Sequence, residues 1–328
     1  MKKTKGILIV CLVMILFISG LSAQNNSNNN LGRSDEYRLV WQDNFDGASL
    51  DEANHWSITI GGNGGGNREL QYYKRENLNV GKEPVSGESC LIITAKKENH
   101  FLRKFTSGKL STQNKIDFKY GKIEARIKSP TTANGLWPAF WMLGSDYPNA
   151  VWPKCGEIDI MEMGNHKGII DGTQDRFFNG ACHWGERFNH GKYPNYAKSS
   201  TNSYCLQDGF HLFTLIWDKD NLKMYVDLDK YPENQPYFEM PINGANVPNN
   251  VAHYFHKKFF IVLNLAVGGN FTGIRNVKQI SALKQGEAKM YIDYVKVYQK
   301  GDIGEEFFGP KSTKNDIKGY ISKIKNLK

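Results

Sequence analysis

The chain has 328 residues, a net charge of +9 and five cysteines, with hydrophobic residues making up 40%. Its basic residues are spread along the sequence rather than gathered in one block, which argues against a nucleic-acid partner, since specific binders concentrate their charge on one face. After the first 23 residues no segment is apolar and long enough to span a bilayer.

Residues 1–23 read as a secretory signal peptide: Lys2, Lys3 and Lys5 precede an apolar run over 7–18, and Leu21-Ser22-Ala23 supplies the small-residue cleavage pattern. The expected mature chain starts near Gln24, lies in the periplasm or outside the cell, and drops from +9 to +6 with the loss of those three lysines. Residues 24–36, with the run NNSNNN, read as a polar flexible spacer. The stretch 37–300 is long enough for one large domain with a full core. Four cysteines remain after processing, Cys90, Cys155, Cys182 and Cys205. They match no zinc spacing, and an oxidising compartment allows one or two disulfides in any of three full connectivities.

From about residue 38 onward the pattern is that of short strands. In KIEARIK, Ile123, Ala125 and Ile127 alternate with Lys122, Glu124, Arg126 and Lys128, as in a half-buried strand. Similar segments lie near residues 92, 214, 225, 263 and 294, joined by tight turns such as Asp218-Lys219-Asp220-Asn221. Helical periodicity is absent before the last 28 residues, so an all-β, two-sheet sandwich is expected. The glycine-rich GGNGGGN over 61–67 is not a phosphate loop. It lacks Gly-Lys-Ser/Thr and leads into RELQYY instead of a helix.

The segment EIDIMEM, 157–163, is the chemically unusual one. On a strand Glu157 and Asp159 share a face, and regular alternation would turn Glu162 into the core with Ile158 and Ile160, where an unpaired carboxylate costs several kcal/mol. A β-bulge at Ile160 or Met161 returns Glu162 to the face of the other two acids and Met163 to the core. Across such a bulge two glutamates can bring their carboxyls to about 5–5.5 Å, the separation of retaining glycosidases. In GLWPAFWML the same alternation puts Trp137, Ala139 and Trp141 on one face, two flat platforms of the kind on which pyranose rings stack.

With YGKIEARIK, GLWPAFWMLG, NRELQYY, LNLAVGGNF and YIDYVKVYQ, the acid segment resembles the laminarinase-like branch of glycoside hydrolase family sixteen over roughly residues 38–299. The resemblance implies a β-jelly-roll with a concave substrate cleft. It makes Glu157 the nucleophile, Glu162 the general acid/base and Asp159 the residue that positions the nucleophile and tunes its protonation. By the same resemblance His183, in NGACHWG, faces the cleft beside the acid/base. Trp137, Trp141 and Trp184 contact sugar, although strand parity puts Trp184 opposite His183, and Arg68 and Asn270 lie at cleft edges. Asp293 would be the side-chain ligand of a structural calcium, with backbone oxygens near Asn44 and Gly87. The sequence departs from its relatives in a long loop-rich section after the acid strand.

The expected function is that of a secreted, monomeric, retaining endo-β-glucanase that cuts internal β-1,3 linkages of laminarin-type glucans without a catalytic cofactor. The alternatives are a mixed-linkage β-1,3-1,4-glucanase and a carbohydrate-binding lectin on the same fold. Lichenase relatives usually carry the shorter Glu-x-Asp-x-Glu form, which favours the laminarinase side. In the basic tail, 301–328, Ile317, Tyr320, Ile321, Ile324 and Leu327 recur at helical spacing, so a short amphipathic helix is expected, docked on the sandwich or on an anionic membrane.

Overall fold

Alternation sets the framework. In Gly121–Lys128 the side chains of Ile123, Ala125 and Ile127 are fully buried while Lys122, Arg126 and Lys128 are half-buried on the other side. This strand pairs antiparallel with His211–Trp217 and with Glu287–Gln299, so that Phe213 and Val295 both lie opposite Ala125. In this computed structural model, residues 36–187 and 191–310 are described; the expected signal peptide, nearly all of the spacer and the tail from 311 on lie outside them.

The first sheet has ten strands. Its path runs Phe238–Pro241, Asn221–Val226, His211–Trp217, Gly121–Lys128, Glu287–Gln299, Ser89–Lys96, Phe105–Ser107 and Gln71–Tyr73, with Arg38–Asp43 and Leu78–Lys82 paired alongside. The second sheet has nine: Asn195–Thr201, Phe177–His183, Glu157–Met163, Leu136–Gly144, Phe259–Val267, Lys109–Ser111 and Ser57–Ile58 in order, with Asp117–Lys119 and Glu306–Phe308 at the side. Pairing is antiparallel except between Gln71–Tyr73 and Phe105–Ser107. The expected all-β sandwich is the fold. Its two inner faces meet in one large cluster that includes Trp41, Trp217, Phe140, Phe213, Phe259 and Ile261. Each such fully buried side chain contributes about 1.5–3 kcal/mol.

Several expectations need correction. The section after the acid strand is not mainly loop. It holds the short helix His166–Ile170 and the strands Phe177–His183 and Asn195–Thr201, which extend the nine-stranded sheet. The sheet also takes in Glu306–Phe308, paired with Asp117–Lys119, from a stretch assigned to the tail. None of Cys90, Cys155, Cys182 and Cys205 forms a disulfide, and the first three are buried. Among the described residues no helix is long and apolar enough to cross a membrane.

Asp293 lies in the ten-stranded sheet, at a register shift between Ile292 and Tyr294. Pairing of Asp43 with Val295 and of Leu91 with Ile292 brings the Asn44 and Gly87 ends towards it, and Ser89 Oγ donates to Phe45 O at 2.8 Å. Arg126 Nη1 donates to Asp293 Oδ2 at 2.8 Å, so a calcium ion there would share its carboxylate ligand with a guanidinium.

Candidate active site

The acid strand Glu157–Met163 is held between Leu136–Gly144 and Phe177–His183. Opposite Leu136–Gly144 the register steps from Met161↔Phe140 to Asp159↔Trp141, leaving Ile160 as the extra residue, and the pairing with Phe177–His183 shifts over the same interval. This is the bulge that parity required. Ile158, Ile160, Met161 and Met163 all enter the core, and Glu157, Asp159 and Glu162 share the opposite face. Gly164 ends the strand at φ +89, and a Cβ on it would stand 1.9 Å from Leu136 O, so only glycine fits.

Small residues flank the acids: Ala139 lies opposite Glu162 on one side and Ala181 opposite Asp159 on the other, which leaves room above the sheet. The expected tryptophans are in place, and both bond to the site. Trp137 Nε1 donates to Glu162 Oε1 at 3.0 Å, and Trp141 Nε1 to Asn264 Oδ1 at 2.7 Å. Neither is a bare platform. Phe271 stacks on Trp137 at 4.6 Å and 14°, and the Lys109 ammonium lies 4.6 Å from the Trp141 ring centre. His183, opposite Glu157, has Nε2 3.3 Å from Asp159 Oδ2 and 3.9 Å from Glu157 Oε1, so its direct contacts are with those two acids, and it reaches Glu162, beside which it was expected, through its charge. Glu157, Asp159 and His183 each offer a ligand atom within 4.8 Å of the others, a set that could also chelate a cation.

Burial raises all three carboxyls above the ordinary range: Asp159 and Glu162 to about 8, and Glu157 well above its usual value, with the charge of Asp159 adding to the effect on both glutamates. His183 and Lys109 oppose this at Glu157, and His183 and the Trp137 hydrogen bond oppose it at Glu162. Burial lowers Lys109, while Glu69 and Glu157 hold its charge. Three carboxyls this close share fewer than three charges at neutral pH, and the site retains protons it can donate.

Of the other expected residues, Arg68 and Asn270 are exposed and lie in neighbouring turns: Asn270 N donates to Asn67 O at 2.7 Å, next to Phe271 and hence to Trp137. Trp184 is the exception. It packs on the core, 5.6 Å from Phe255, because it comes directly after His183 at the end of the strand and continued alternation turns it inward, so it is not on the acid face. Lys109, Asn264, Phe271, Trp152 and Tyr193 went unnoticed in the sequence. Trp152 lies 4.7 Å from Tyr193 and 6.2 Å from His183, forming an aromatic group at the Glu157 end. The Val151-Trp152-Pro153 run, shortly before the acid strand, was the available signal.

Half-buried Glu157 with buried Asp159 and Glu162 on the outward face of a jelly-roll sheet, one indole bonded to Glu162 and a second beside it bonded to Asn264, define a β-sandwich of the polysaccharide-handling class. The chain belongs to glycosyl hydrolases family 16, whose model matches residues 72–251. It is 36% identical to the clotting factor G alpha subunit of Tachypleus tridentatus, over 80% of this chain and 34% of that protein. It is 34% identical to glucan endo-1,3-beta-glucosidase A1 of Niallia circulans, over 80% and 38%. The chain thus spans little more than a third of either relative. A solved structure, the family 16 protein of the Bacteroides ovatus mixed-linkage glucan PUL in complex with a G4G4G3G product, is 38% identical with a TM-score of 0.68, covering 78% of this chain and 99% of that one.

Proposed function

We propose that the chain is a retaining endo-β-glucanase that cuts β-1,3-containing glucans internally. The observation that carries this reading is the face shared by Glu157, Asp159 and Glu162, with Glu162 raised to about 8 and held by Trp137. At neutral pH Glu162 keeps a proton for the departing sugar oxygen. Asp159, raised to about 8 by burial, also keeps its proton and spares Glu157 a neighbouring charge. Burial pushes Glu157 up as well, and Lys109 and His183 counter that push, so Glu157 is the acid assigned the negative charge in the reacting state. Glu157 attacks the anomeric carbon as the glycosidic bond breaks and Glu162 protonates the leaving oxygen. Glu162, now a base, takes a proton from water, which displaces Glu157 and restores the starting configuration. The carboxyls do this chemistry without a cofactor.

Laminarin-type β-1,3-glucan is the favoured substrate, supported by the likeness to an endo-1,3-glucosidase and by the six-residue acid segment. Mixed-linkage glucan is the second reading, favoured by the 38% identity to the mixed-linkage family 16 protein. The test is the product profile on laminarin, barley β-glucan and cellulose. The expected result is a rapid fall in laminarin chain length, slower or comparable cleavage of barley β-glucan, and no cleavage of cellulose. Barley β-glucan cut with laminarin untouched moves the enzyme to the mixed-linkage class, and binding without any cutting makes it a lectin.

Secretion through the amino-terminal leader and action as a monomer belong to the same proposal. So does a structural calcium at Asp293. Added calcium is expected to raise the melting temperature and a chelator to lower it, and no change with either removes the metal.

A further inference from the structure

Between Ser89–Lys96 and Phe105–Ser107 the chain turns back through His100 and Arg103, which exchange both backbone hydrogen bonds at 3.0 Å and leave Phe101 and Leu102 as a two-residue tip. Phe101 is 81% and Leu102 97% exposed. Phe101 also has φ +49, a left-handed conformation that asparagine or glycine adopts at such a turn with less strain. Local backbone preference and water both oppose this pair, so folding gives no reason for it.

The tip is organised rather than loose. Phe101 lies 4.6 Å from the His100 ring and 5.5 Å from Tyr72, and Tyr72 lies 4.6 Å from His100. The Tyr72 ring rests against Gly62, where a Cβ would stand 2.7 Å from Cδ2. Gly62, Tyr72, Phe101, Leu102 and Arg103 line a recess of about 540 Å³, within the range of small-ligand sites.

The recess is linked to the acid face by a chain of hydrogen bonds. Arg103 donates through Nη1 to Glu69 O at 2.9 Å and through Nη2 to Gly62 O. The Glu69 carboxylate accepts from Gln71 and Tyr73, and Gln71 Oε1 accepts from Val267 N, at the end of the strand that carries Asn264. Through Asn67 and Asn270 the same loop reaches Phe271, Trp137 and Glu162.

We infer that this recess is a remote subsite for the glucan chain, where sugar units beyond those at the acids lie against Tyr72 and Phe101 with Arg103 as a hydroxyl partner. A neutral β-glucan fits it because the lining offers aromatic and aliphatic faces with one hydrogen-bonding cation. The inference rests on the glucanase reading.

The test is Phe101→Asn with Leu102→Gly, a pair suited to the turn, so that an unchanged or higher melting temperature certifies the fold. kcat/KM is measured on β-1,3-oligosaccharides of increasing length and on laminarin, and laminarin affinity is measured by calorimetry in a Glu157→Gln background. The double variant is expected to lose about fivefold on laminarin in both measurements, the effect of about 1 kcal/mol, with a much smaller loss on the trisaccharide, and Phe101→Trp is expected to keep wild-type behaviour. Equal loss on short and long chains, or no loss on laminarin, overturns the subsite. If the variant instead loses only adhesion to phosphatidylglycerol vesicles, the tip is a lipid contact and the inference falls. A wild-type protein inert on every β-glucan sinks the underlying reading first, before any variant is compared.

Discussion

Glu157→Gln is expected to lower turnover of laminarin at least about a thousandfold, a barrier increase of about 4 kcal/mol, while glucan binding persists. The amide keeps the shape of the side chain and cannot attack the anomeric carbon. Steady-state rates with calorimetric binding check this, and a variant retaining more than about a tenth of the rate, a loss of only about 1.4 kcal/mol, would remove Glu157 from the nucleophile's role.

The same substitution should change stability in the opposite direction. All three acids have folded-state values raised above those of the unfolded chain, near 4: Asp159 and Glu162, raised to about 8, bind more protons in the native than in the unfolded state between about pH 4 and pH 8, and Glu157 is shifted in the same direction. Their contribution is therefore most favourable below pH 4 and falls as pH rises, that of Asp159 and Glu162 being lost through about pH 8. Glu157→Gln deletes one such group and relieves the other two, so its melting temperature should exceed that of the wild type at pH 8, with the gap closing towards pH 4. A variant less stable than wild type at pH 8 would show that the native site holds Glu157 as a well-bonded anion.

Glu162→Gln is expected to cost about 10²–10⁴-fold on laminarin, the usual worth of a positioned acid. On an aryl β-glucoside with a good leaving group, bond cleavage needs little acid. The first step should then stay fast while hydrolysis of the covalent intermediate, deprived of its base, becomes slow. A burst of released phenol followed by a slow steady state is the signature, and azide, which needs no base, should restore turnover. The wild-type rate should fall as pH rises past about 8, where Glu162 gives up its proton, and the variant should lose that limb. Equal loss on activated and natural substrates would place the acid elsewhere.

The acids were legible because two periodicities had to be satisfied at once: Ile158 and Met163 needed the core, and Glu162 needed the other side, which only an extra residue allows. Trp137 and Trp141 followed from plain alternation on the neighbouring strand. Trp184 shows the cost of letting resemblance outrank parity, for alternation from His183 already turned it inward. Asn195–Thr201 escaped notice because it is an edge strand with mostly exposed polar residues and shows no apolar alternation. Lys109 and Phe271 could not be found locally. Each reaches the site through pairings or turns far from residue 157 in sequence; Phe271 closes the LNLAVGGNF motif beside Asn270 but shows its stacking on Trp137 only in the fold.

The bulge at Ile160 also governs how the strand can change in length. Without the extra residue, strict alternation would set three acids at spacings of two and two on the same side; with it, the spacings are two and three and the side is unchanged. One inserted or deleted codon thus separates the two forms, and neither requires an intermediate with a carboxylate driven into the core. For most strands a single-residue length change inverts everything downstream, whereas here the inversion is absorbed where it arises. The acid strand is therefore a place where this sheet can gain or lose a residue and still present the same chemistry.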